Sequence, residues 1–79
     1  ALEMLNGDFA LAMASDFADR LQREASTDKV QQVRLAFELV LGRGPSAEER
    51  RLSESFLMGQ SLEEFALAML NLNALIYVE

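Results

Sequence analysis

Gly42-Arg43-Gly44 is the first stretch whose residue types could do chemistry. A glycine-flanked arginine just ahead of a helix start is a place where backbone amides can hold phosphate. A Walker-type loop ends in Gly-Lys-Ser/Thr, which is missing, and Glu48 and Glu49 follow where the anion would sit. Like charge repels an anion, so the stretch reads as a helix stop followed by a new helix start. Glu48-Glu49 and Glu63-Glu64 could be imagined as four carboxylates around a metal ion. Both pairs fall in expected first helical turns, where the helix dipole favours negative charge by about 0.3–1 kcal/mol each. Carboxylate di-metal bundles add a Glu-x-x-His motif, and a calcium loop needs alternating oxygen ligands around a central glycine. Neither pattern is present, so no metal and no cofactor is expected.

Asp16, Asp19 and Glu24 alternate with Arg20 and Arg23, and Asp16–Arg20 and Asp19–Arg23 are acid-to-base pairs at four-residue spacing. They read as a solvated helix face, since acid–base catalysis needs two carboxylates in different environments around a cleft. Met4, Met13, Met58 and Met69 could line a methionine-rich peptide groove, although Met13 and Met69 fall on apolar stripes and read as core. The apolar strip Leu75, Ile76, Tyr77 and Val78 is the candidate partner contact; the competing reading makes it the last piece of core.

Composition removes whole classes of function. Cysteine and histidine are both absent from the 79 residues. Disulfides, Cys/His zinc sites, covalent haem attachment and Ser-His-Asp or Cys-His catalysis are therefore excluded within this stretch. Seven basic residues stand against thirteen acidic ones, for a net charge of -6, and Lys29 is the only lysine. Neither nucleic acid nor an anionic membrane surface suits such a chain as partner. No apolar run reaches the roughly 18 residues of a membrane span, and no basic-then-apolar leader pattern is visible. The first residue is Ala1, which is expected of a piece cut from a larger protein.

The elements that must position these residues are helical throughout. Phe9, Met13, Phe17 and Leu21 recur every fourth residue and predict a helix over about 8–24, capped by Asn6 or Asp8. Alanines at 10, 12, 14 and 18 raise helix propensity and permit a close helix contact. After the break at Ala25-Ser26-Thr27, Asp28 with Gln31 is a capping-box variant opening a second helix with Val30, Val33, Phe37, Val40 and Leu41 inward. Gly42 suits the left-handed position that ends it, and Pro45 prevents continuation. Ser46-Ala47-Glu48-Glu49 is a full capping box for a third helix, with Leu52, Phe56 and Leu57 inward and Gly59 as exit. Ser61-Leu62-Glu63-Glu64 repeats it for a fourth, carrying Leu62, Phe65, Ala66, Met69 and Leu70 and ending at Asn71-Leu72-Asn73. The expected fold is an all-α, compact bundle of about four short helices in a single domain, 1–79.

Phe37-Glu38-Leu39-Val40-Leu41-Gly42-Arg43, then Pro45-Ser46-Ala47-Glu48-Glu49, resembles the AF-x-LxLGR-x-PT-x-EE stretch of the PSD-one domain of planctomycetes and related bacteria. Met4-Leu5-Asn6 with Phe9 is similar to that family's LLN-x-x-F opening. Leu70-Asn71-Leu72-Asn73 with Tyr77-Val78 is similar to its closing LLNSNEFLYVD. The sequence departs at Ala74 and Leu75, where the family usually has glutamate and phenylalanine. The resemblance implies the C-terminal subregion of a large exported or periplasmic protein, in a family whose activity is not established. Many such proteins carry a cytochrome c-like module elsewhere; no Cys-x-x-Cys-His occurs here, so haem is not carried over.

The leading expectation is thus a non-catalytic structural or interaction domain whose partners are other parts of its parent chain or another protein. A homodimer or protein-binding module assembled through Leu75–Val78 is the rival. A third reading makes the chain an accessory part of an enzyme whose active site lies elsewhere.

Overall fold

Short polar breaks separate four runs of helical periodicity, and each run becomes a helix. The computed structural model describes the backbone of residues 7–76 and the side chains of residues 7–72. The elements are α1 (Gly7–Ala25), α2 (Lys29–Leu41), α3 (Ala47–Gly59) and α4 (Leu62–Ile76). Among the described residues there is no strand, so the protein is an all-α bundle of four helices. No helix among them is long and apolar enough to cross a membrane. The two central helices are α2 and α4, which touch each other and both outer helices. The outer pair, α1 and α3, do not meet.

The helix ends follow their local chemistry. Asp28 stands in extended conformation ahead of α2, and its carboxylate accepts from the amides of Val30 (3.0 Å) and Gln31 (3.3 Å). No reciprocal bond comes back from Gln31. Instead Gln32, buried on the next position, donates its side-chain amide to the Ser26 carbonyl. Gly42 closes α2 in the left-handed region, at φ 72°, and its amide donates to the Glu38 carbonyl at 3.1 Å. Gly59 is the last residue of α3 rather than its exit. The cap is Gln60, in extended conformation, with its amide on the Phe56 carbonyl at 2.9 Å. Asn71 and Asn73 do not end α4, which continues to Ile76. Asn71 is buried and donates its side-chain amide to the Leu67 carbonyl one turn back, at 3.1 Å, so its polar group is satisfied along the helix.

Two neighbouring clusters form the core. The larger joins Leu21 from α1, Val33, Ala36 and Phe37 from α2, Leu57 from α3, and Phe65 and Met69 from α4. The smaller is made of alanine: Ala14, Ala18 and Ala66, flanked by Phe17, Leu62, Leu67 and Leu70. This changes the face expected of α1. Ala10, Ala14, Ala18 and Leu21 are its buried line, Met13 and Phe17 are half-buried, and Phe9 is 77% exposed. The helix is turned by about one residue, or 100°, from the expected stripe. Alanine has no side-chain atoms beyond Cβ, so complete burial of Ala14 and Ala66 requires the two backbones to come close. Larger side chains are then displaced to the flanks. In α2, Val33 and Phe37 are buried as expected, but Val30 is exposed and Val40 and Leu41 are only half-buried. In α3, Leu57 is buried beside Ser53, while Leu52 and Phe56 lie open. Of the methionines, Met69 is core, Met13 half-buried and Met58 82% exposed; Met4 lies outside the described residues.

Leu21 is fully buried where α1, α2 and α4 meet. Replacing it with alanine is expected to cost about 2–5 kcal/mol, read as a lower midpoint in urea unfolding. Two left-handed positions should respond with opposite signs. Gly42→Ala places a Cβ at φ 72° and is expected to cost about 1 kcal/mol. Ser26→Gly removes the Cβ already present at φ 56° and is expected to stabilise by a few tenths of a kcal/mol, measured the same way.

Candidate functional site

The α2–α3 corner is built from Gly42 to Glu49. The left-handed turn at Gly42 reverses the chain, Pro45 fixes its direction, and Ser46 opens α3. The Ser46 hydroxyl accepts from the Glu49 amide at 3.1 Å, and the Glu49 carboxylate accepts from the Ser46 amide at 2.8 Å. The expected capping box is present in full. Beyond it, Arg43 crosses the turn and grips the same carboxylate with both guanidinium nitrogens, at 2.7 and 2.9 Å. One of those nitrogens also donates to the Gly44 carbonyl at 3.1 Å. Arg43 is therefore engaged by Glu49, and the α3 N-terminus is filled by the chain's own carboxylate.

This contact sets the protonation of Glu49. Its pKa falls to about 2, first because of the Arg43 hydrogen bonds and then because of the Ser46 amide, with partial burial opposing. The same hydrogen bonds and charge raise Arg43 above its ordinary value. A carboxylate held ionised so far below neutral pH is a weak general base and carries no proton to donate. At the next break, Ser61 and Glu64 form a second reciprocal cap at α4, with 3.0 and 3.3 Å bonds.

The other acidic groups are spread over exposed helix faces. Arg20 turns forward to Glu24 at 2.7 Å and not back to Asp16. Arg23 reaches the Asp19 backbone carbonyl at 3.4 Å, so the two ion pairs expected on α1 do not form. Glu48 pairs with Arg51 one turn along, and Arg50 lies 3.5 Å from Glu54. Among the described residues no three acidic side chains come together as a group that could hold a metal ion.

An apolar groove lies next to the corner, where α3 rests on α4. It has a volume of about 320 Å³, with Phe37, Phe65 and Met69 at its base and Leu52, Phe56 and Leu72 along its sides. Glu49 stands at its edge, so the capping residue and the groove share one side chain. Leu52 is 55% and Phe56 36% exposed, both on a face turned one residue from the buried Ser53–Leu57 line. The Phe56 and Phe65 rings pack at 6.2 Å between centroids, tilted by 51°. Such a surface can take up an apolar side chain or a short apolar segment.

Sequence reasoning missed both the Arg43 grip and the groove. The signal for the first was partial: Arg43 stands close in sequence to the capping-box carboxylate of Glu49, but glycines on both sides leave its backbone direction open. The groove had no such signal, because Leu52 and Phe56 fit an inward stripe as well as Leu57 does. Of the candidate strip, Leu75 and Ile76 belong to α4 by their backbone; their side chains, and all of Tyr77 and Val78, lie outside the described residues.

The family model for PSD1, described as a protein of unknown function (DUF1553), matches residues 1–57. The chain belongs to the PSD1 family. The match takes in the opening block at Met4–Phe9 and the middle block at Phe37–Glu49, and so covers the whole α2–α3 corner. The closing block from Leu70 lies beyond it. No curated protein and no solved structure matches the chain.

The Arg43–Glu49 contact makes a prediction about pH. The folded-state pKa of Glu49, about 2, lies below the roughly 4.3 of an unfolded glutamate. Its contribution is therefore fully present above about pH 5 and is lost as pH falls towards 2. Glu49→Gln keeps an acceptor for the Ser46 amide but removes the charge. The loss of stability between pH 6 and pH 3, read from urea midpoints, should be smaller in that variant than in the parent. Ser46→Ala should cost about 1 kcal/mol at either pH, by the same measurement.

Proposed function

We propose that this PSD1 chain is a non-catalytic helical interaction domain of a larger exported protein, and that the groove between α3 and α4 receives an apolar segment from the rest of that polypeptide. The observation that carries this reading is the uncovered apolar groove with Leu52 and Phe56 beside it. In a chain of this size large side chains are scarce, and leaving them in water forgoes about 25 cal/mol for each Å² of apolar surface. A concave apolar surface can seat an apolar side chain of a partner segment, and covering it removes that surface from water. The resemblance supports the larger parent, the export and the C-terminal placement. The non-catalytic reading rests on composition, since the chain has neither cysteine nor histidine, and Glu49, the one carboxylate at the groove, is already engaged by Arg43 and the Ser46 amide.

Hydrogen exchange on the full-length protein and on residues 1–79 alone tests the reading. Amides around Leu52–Leu57 should exchange more slowly in the full-length protein. Leu52→Asp should remove that difference while changing the unfolding midpoint of the isolated chain little, since the side chain is already exposed. Equal exchange in both proteins would overturn the proposal. Slower exchange in the isolated chain as its concentration rises, with a doubled mass by light scattering, would replace it with self-association.

A further inference from the structure

We draw no further inference here: the strongest candidate, the apolar groove between α3 and α4 beside Leu52 and Phe56, already carries the proposed function, and nothing in the structure shows what covers it.

Discussion

The close approach of α1 and α4 at Ala14, Ala18 and Ala66 is the contact on which the rest of the bundle depends. A chain without cysteine has no covalent staple, and a domain of this length buries only about 60% of its surface. Stability must then come from packing the few available side chains without voids. Alanine contributes little area of its own, but it lets two helix axes draw together so that the flanking Phe17, Leu62, Leu67 and Leu70 close around the seam. Turning α1 so that Phe9, Met13 and Phe17 faced α4 would hold the backbones apart and expose the alanines. The observed orientation places Leu21 among Val33, Phe37, Phe65 and Met69, while Phe17 packs against both clusters.

With α1 and α4 committed to each other, α3 is left as the least enclosed helix. It does not touch α1, and it enters the core mainly through Leu57 and the small Ser53. Its position is set at its beginning by polar contacts: the left-handed turn at Gly42, the Ser46 cap and the double grip of Arg43 on Glu49. An exposed ion pair contributes little by itself, about 0–1 kcal/mol. Here it is joined to a capping box, and the assembly fixes where α3 starts relative to the end of α2. A helix held at one end and by one large core side chain leaves its flank open. The apolar groove follows from that arrangement.

The proposed function is a matter of surface. Of the carboxylates that looked like potential ligands or acids, Glu49 and Glu64 serve helix ends, and Glu48 and Glu24 pair with exposed arginines. Exposed apolar side chains occur on all three of the first helices, and of these Leu52 and Phe56 are the ones that border the groove. The family to which the chain belongs is one of unknown function.

What the sequence by itself determined was local. Gly42, Ser46, Asp28 and Ser61 mark helix ends because each acts on amides or dihedral angles within a few residues, and all four do so where expected. The all-α class follows from the same short-range periodicity. Asn71 is the instructive exception: asparagine tolerates turn and left-handed geometry, but here the backbone stays helical and the buried side chain donates to the Leu67 carbonyl one turn back. Only the tertiary structure decided which face of each helix turned inward. A stripe at 9, 13, 17 and 21 and one at 10, 14, 18 and 21 are neighbours on the same cylinder, and choosing between them depends on what the opposite helix offers. Ala66 offers a surface that alanine fits, so Phe9 stays outside. The same long-range choice turned Ser53 inward, left Leu52 and Phe56 in the open, and so made the groove.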